Sequence, residues 1–322
     1  MAEKLLQVEN LVKYFPLRKS LFRGKDRQQV RAVDGISFSI RQGETFGLVG
    51  ESGSGKSTTA RLITRLIQAT QGKIYFKKEE ILRLSEGNFS KIRRHIQMVF
   101  QSPFASLNPR LRIRKTIGNP LRLHRIVPRS QIEDRVVELL EMVGLEARHG
   151  QLYPHEFSGG QRQRISIARA LALDPDLVIA DEPVSALDVS VQAQILNLFR
   201  QLQESRNLTY LFIAHDLSVV EHFCDRVAVM YRGKIVEAAP VDELFTAPLH
   251  PYTEALISAI PEPEPLPDYC PQPLKGDLLD VIGHPSGCVF QDRCPLARPE
   301  CGLAHPSLEQ RTPGHWVACY LR

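Results

Sequence analysis

The stretch Gly50-Glu51-Ser52-Gly53-Ser54-Gly55-Lys56-Ser57-Thr58 constrains this chain more than any other. It follows the short apolar run Thr45-Phe46-Gly47-Leu48-Val49 and precedes a helical pattern over residues 59–67. Glycines in such a turn let backbone N–H groups converge on phosphate oxygens, and the N-terminus of the following helix adds a favourable dipole. Lys56 supplies positive charge to the β- and γ-phosphates, and Ser57 offers a hydroxyl to Mg²⁺. A chance glycine-rich turn does not carry this whole pattern between a strand and a helix.

A second constellation follows from the first. Leu177-Val178-Ile179-Ala180 leads into Asp181-Glu182, which places two carboxylates at the end of a buried strand. Asp181 there can hold Mg²⁺, directly or through water, and Glu182 can polarise an attacking water. This run and Tyr210-Leu211-Phe212-Ile213-Ala214 are almost continuously apolar, as expected of parallel strands covered on both faces. Residues 189–204 between them have helical periodicity. Residues 5–12 and 36–40 also read as strands. From about 103 to 165 the pattern turns helical. Ser130-Gln131-Ile132-Glu133 reads as a capping box, and Ile132, Val136, Leu139, Leu140 and Val143 share one helical face before Gly144. The chain therefore reads as an α/β phosphate-loop core with an inserted helical subdomain at about 102–165.

Phe157-Ser158-Gly159-Gly160-Gln161-Arg162-Gln163-Arg164 opens a helix rich in Arg and Ala. This stretch resembles the signature sequence of the ABC ATPases, and the companion elements stand in that family's order. The resemblance covers roughly residues 5–260. It implies a RecA-like core that binds and hydrolyses ATP with Mg²⁺. Gln101 matches the glutamine that joins the subdomains and senses Mg²⁺, Ser185-Ala186-Leu187-Asp188 matches the D-loop, and His215 stands at the switch-histidine position. Phe15 matches the aromatic that stacks on adenine, with Tyr14 as the alternative. The catalytic set so implied is Glu182, His215 and Gln101. In the family, Ser158, Gly159, Gly160 and Gln161 of one subunit close over nucleotide held by the other subunit's loop at 50–58. Two nucleotides then bridge a head-to-tail dimer, and hydrolysis opens it.

The segments Glu182–Gln194 and His250-Pro251-Tyr252-Thr253-Glu254-Ala255-Leu256 are similar to oligopeptide and dipeptide importer ATPases; more narrowly, Gly160-Gln161 and Pro183-Val184-Ser185 resemble the second, F-type ATPase of such systems. That implies a heterodimer with a distinct second ATPase beneath two transmembrane permease subunits, fed by an extracytoplasmic solute-binding protein. The permeases would dock near Gln101 and residues 102–120. The substrate stays open within this branch: peptides, or nickel, glutathione or opine-like solutes. A soluble ABC ATPase acting on nucleic acid is the rival from another class, disfavoured by the single cassette and the transport-type tail.

Six prolines in residues 261–273 read as an extended linker to a cysteine-bearing tail. There Cys288, Cys294, Cys301 and Cys319 are spaced C-x5-C-x6-C-x17-C. The spacing lacks the paired C-x2-C knuckles usual for structural zinc, and four thiolates are the ligand count of an iron–sulfur cluster. The spacing alone leaves cluster, zinc and no metal open. The resemblance favours a [4Fe–4S] cluster, since peptide-importer ATPases with this tail can carry one, in a structural role. Cys224 and Cys270 read as ordinary cysteines.

Composition sets the outer bounds. With 322 residues, 43% apolar and 24% charged, neither a disordered chain nor a fibre fits. The net charge of +5 reads as a solvated surface rather than a nucleic-acid footprint, and the basic segment at 18–27 reads as an exposed excursion. No run of eighteen apolar residues is present, and the start lacks the uninterrupted apolar stretch of a secretion signal. Within these bounds the resemblance implies a peripheral subunit on the cytoplasmic face of the inner membrane.

Overall fold

Burial on both faces and hydrophobic alternation decide where strands form. The computed structural model describes residues 3–16, 29–260 and 287–322. The basic segment at 18–27, the proline-rich stretch and Cys270 lie outside the described residues. In chain order come β1 (Lys4–Pro16), β2 (Gln29–Arg41), β3 (Thr45–Val49), α1 (Lys56–Ile63), β4 (Gln71–Phe76) and β5 (Glu79–Glu80). Next are α2 (Glu86–Arg93), β6 (Ile96–Val99), α3 (Pro103–Ser106), α4 (Ile113–His124), α5 (Ile132–Met142) and α6 (Gly159–Leu171). Then follow β7 (Leu177–Asp181), α7 (Val189–Arg206), β8 (Thr209–Ala214), α8 (Leu217–Phe223), β9 (Arg226–Tyr231) and β10 (Lys234–Pro240). The chain closes with α9 (Val241–Thr246), α10 (Pro251–Ser258), β11 (Glu309–Thr312) and β12 (His315–Val317).

The chain divides into two units, and the division does not follow the sequence linearly. The first unit holds Arg41–Glu44 and Arg83–Ile213. Its strands β6, β7 and β8 run parallel, with Ile96 opposite Leu177 and Leu177 opposite Thr209. Every residue of β7 is buried, which is why this strand reads as an unbroken apolar run. The helical segment belongs to this unit, where α4, α5 and α6 pack on one another. Val136, Leu139, Leu140 and Val143 are buried there, and Gly144 follows the helix at φ +73°. Helix α5 has no capping box, however. A 3-10 turn at Arg129–Gln131 precedes it, the N-cap is Gln131, and no side chain caps it. The turn takes up Ser130, so the hydroxyl expected to cap the helix is drawn one step out of register.

The second unit holds Lys4–Ile40, Thr45–Leu82 and Ala214–Arg322 so far as these are described. One sheet has the order β2-β1-β4-β5. In another, β3 runs parallel to β9, β9 pairs antiparallel with β10, β10 with β12, and β12 with β11. The cysteine-bearing tail is thus not a separate appendage, because β12 extends a sheet of the core. Glu237 on β10 locks that join. Its fully buried carboxylate accepts from the N–H groups of Leu249 (2.7 Å) and His250 (2.9 Å) and pairs with His315 Nε2 at 2.7 Å. A short tail without a core of its own is held by this strand pairing and by a buried charge whose partners are all supplied.

Candidate active site

The phosphate loop lies in the second unit, between β3 and α1. Lys56 is 3% exposed, and its Nζ donates to Gly50 O (2.7 Å) and Glu51 O (2.9 Å), so the ammonium is folded back along the loop. Gly55 has φ +109°, and a Cβ there would stand 2.1 Å from Ala32 O, so no other residue fits. Ser54 is buried, Ser52 and Gly53 are exposed, and Ser57 and Thr58 lie half-buried in the first turn of α1. Helix α1 thus begins at Lys56, three residues earlier than the sequence pattern placed it, with loop and helix continuous through Gly55.

One contact to this loop was not legible in the sequence. Arg293, from the tail, donates to both carboxylate oxygens of Glu51 at 2.7 and 3.0 Å. The Glu51 N–H in turn donates to Tyr252 Oη at 2.8 Å. Nothing in local spacing joins residues so far apart in the chain. The fork holds Arg293 charged, raising its pKa against the opposing effect of burial.

The first unit carries the carboxylate end. Asp181, the last residue of β7, is buried. Glu182 follows in the left-handed region at φ +46°, its N–H held by Ile213 O at 2.9 Å. That conformation is costly for a residue other than glycine. Gln101 Nε2 donates to Glu182 Oε2 at 2.7 Å, so two of the residues singled out by sequence are brought together. Ser158 caps α6, and a reciprocal pair of bonds joins it to Gln161 at 3.0 and 3.3 Å. This is the capping box that the helix needs. Ser158 and Gly159 are exposed, while Gly160 is buried against Val191, whose Cγ1 a Cβ would meet at 2.5 Å. Asp188, exposed, is the N-cap of α7.

His215, in the second unit, is exposed directly after β8. The two aromatic candidates differ in their surroundings. Tyr14 Oη donates to Asp34 Oδ1 at 2.5 Å, and the Arg31 guanidinium lies 4.8 Å from its ring centre. Burial first, then Asp34, pushes the Tyr14 phenol up to about 12. Phe15 is 39% exposed with Lys13 Nζ 4.9 Å from its ring centre.

Cys288 and Cys301 are buried, Cys294 and Cys319 half-buried, and all four are free thiols. The Cys288 N–H donates to Cys301 O at 2.7 Å. Burial pushes the Cys288 thiol up to about 11, and the other three cysteines add to the rise. Cys294 and Cys319 are also raised, chiefly by burial. Among the described residues no three His, Cys, Asp or Glu side chains are gathered closely enough to hold a metal ion.

With this geometry in hand, comparison with known proteins places the chain. The family model for ABC transporters matches residues 33–185. The model for the oligopeptide/dipeptide transporter C-terminal region matches residues 236–301. Over 322 residues the chain is 52% identical to the oligopeptide transport ATP-binding protein AppF of Bacillus subtilis strain 168, covering 99% of this chain and 98% of AppF. The chain belongs to the ABC transporter ATPases.

A second Bacillus subtilis relative, the putative oligopeptide transport ATP-binding protein YkfD, is 51% identical over 98% of this ABC ATPase and 95% of YkfD. Among solved structures, the dimeric post-hydrolysis state of the ATP-binding cassette MJ0796 bound to ADP and Pi is similar at TM-score 0.65 and 30% identity, covering 73% of this chain and 98% of that one. The α/β phosphate-loop fold expected from the sequence is therefore that of this ABC ATPase, and its reaction is ATP hydrolysis. Among the described residues, no helix is long and apolar enough to cross a membrane.

Proposed function

We propose that this chain is the ATP-hydrolysing subunit that energises import of di- and oligopeptides, acting at the cytoplasmic face of the membrane as a peripheral subunit. What carries this reading is the join of an ABC cassette to a C-terminal region of the oligopeptide/dipeptide transporter type, in one chain and, through β3, β9 and β10, in one sheet. We take residues 1–260 as the ATPase portion, with the helical subdomain at about 102–165, and 261–322 as the extension. Its partners are two permease subunits, a solute-binding protein and a second, distinct ATPase.

The residues divide the work as follows. The loop at 50–58 presents N–H groups to the phosphates of ATP, with Lys56 leaving its carbonyl partners to meet the outer two. The buried Asp181 carboxylate and the Ser57 hydroxyl are hard oxygen donors of the kind Mg²⁺ takes. Mg²⁺ bound with the nucleotide would neutralise charge on the transferring phosphoryl group. Gln101 orients Glu182 through their 2.7 Å bond, and Glu182 polarises the attacking water. His215 contributes at the γ-phosphate. Phe15 stacks on adenine, since Tyr14 is committed to Asp34 and Arg31. The exposed Ser158 and Gly159, with Gly160, Gln161 and Asp188, cap the nucleotide of the second ATPase.

The tail, in this reading, takes a [4Fe–4S] cluster. Four free cysteines in the tail match the ligand count of such a cluster. A cluster would hold the four as thiolates and so brace the tail. Anaerobically purified protein should contain about four iron and four labile sulfide per chain; colourless, iron-free protein rejects this part alone. The import reading itself is tested by purifying the tagged chain from membranes. Recovery with two permeases and a second ATPase supports it, and recovery with nucleic acid or no membrane protein contradicts it.

A further inference from the structure

The phosphate loop carries a carboxylate at its second residue, where the ligand to be bound is a polyanion. Glu51 is 27% exposed in its side chain, and Arg293 covers both of its oxygens while itself only 7% exposed. Arg293 also reaches Tyr231 Oη at 3.4 Å, and the rings of Tyr231, Tyr252 and Phe290 pack with centroids 4.6 to 5.4 Å apart. Phe290 and Arg293 both come from the tail, between Cys288 and Cys294. The tail thus fixes the side chain of Glu51, while Tyr252 fixes its N–H.

We propose that Arg293 is a positioning residue for nucleotide binding: it neutralises and pins Glu51, making the C-terminal extension part of the phosphate loop's support. A bidentate guanidinium suits this task, because it satisfies both carboxylate oxygens at once and fixes the orientation of the glutamate. Without it, Glu51 stands as an uncompensated negative charge on an anion-binding loop. The inference rests on the reading of residues 50–58 as the ATP site.

The test measures binding of methylanthraniloyl-ATP with Mg²⁺ to the full-length chain. Arg293→Met should raise Kd roughly 5- to 30-fold, or about 1–2 kcal/mol at 1.36 kcal/mol per tenfold. Because the harm comes from the unpaired carboxylate, adding Glu51→Gln to Arg293→Met should recover most of the lost affinity. A merely structural arginine would not be rescued by removing its partner's charge. Arg293→Lys, which keeps the charge without the fork, should lie between wild type and Arg293→Met, and it carries the test if the methionine variant fails to fold. A Kd within twofold of wild type for Arg293→Met, or a loss that Glu51→Gln leaves in place, overturns the proposal. Lys56→Ala separates the two readings. If it too leaves binding unchanged, the site itself is misassigned; if it abolishes binding while Arg293→Met does not weaken it, only the role of Arg293 falls.

Discussion

Replacing Glu237 by alanine should loosen the join between the tail and the rest of the second unit. The carboxylate is fully buried and receives three donors: the Leu249 and His250 N–H groups and His315 Nε2. Truncation strands two backbone N–H groups, each costing about 1–3 kcal/mol when buried without a partner. It also removes the nearer of the two carboxylates beside His315, leaving Glu243 at 3.7 Å, in a site 3% exposed. Breaking a buried network of this kind costs about 3–5 kcal/mol in total. At 1.36 kcal/mol per tenfold, that is a loss of roughly 10²- to 10⁴-fold in protection against opening. Hydrogen exchange read by mass spectrometry, on peptides spanning 241–258 and 309–319, reports it directly. Glu237→Gln, which keeps the shape and one acceptor, should lose less. Protection in both segments within threefold of wild type would refute the argument that this carboxylate holds the tail in place.

Three further outcomes follow from the geometry. Glu182→Gln should keep ATP binding but slow hydrolysis roughly 100-fold or more, as expected when a general base is removed; a normal phosphate-release rate rejects its role. Gly55→Ala should abolish methylanthraniloyl-ATP binding, since φ +109° and a 2.1 Å approach to Ala32 O leave no room for Cβ, and wild-type affinity would contradict that. Acid should destabilise the second unit through His250, whose pKa burial pushes down to about 3, with His305 adding to the fall. Its Nδ1 accepts from the Tyr252 N–H at 3.1 Å, which only the neutral ring can do. Unfolded, the ring returns to about 6.5 and binds a proton that the folded chain refuses. The stabilisation is therefore complete above that pH and lost as pH falls toward 3, by about 2 kcal/mol at pH 5. Thermal melts between pH 7 and 5 should fall less steeply in His250→Asn, which keeps an acceptor for Tyr252; parallel slopes would sink the assignment.

Local chemistry explains what the sequence made readable. The loop at 50–58, the strand ending in Asp181 and the cap at Ser158 each depend on neighbours within a few residues, so spacing suffices to find them. Helix α5 shows the limit of that logic. Its apolar face was legible because four residues bury together, but its start was not, because a 3-10 turn competes for Ser130. The tail was legible as a cysteine pattern and opaque as a fold. Its attachment depends on Glu237 meeting His315 and on Arg293 meeting Glu51, pairs that no periodicity connects. The strained Glu182 backbone was hidden for a related reason: a left-handed glutamate is set by its surroundings and not by its own preference.

The central claim is that ATP held by this chain's loop is closed over by a second ATPase. Light scattering of the Glu182→Gln chain mixed with that co-purified ATPase tests it most directly. Magnesium and ATP should shift the mass from two separate subunits to one pair, and ADP should leave them apart. A mass that stays the same while ATP is demonstrably bound would contradict the account.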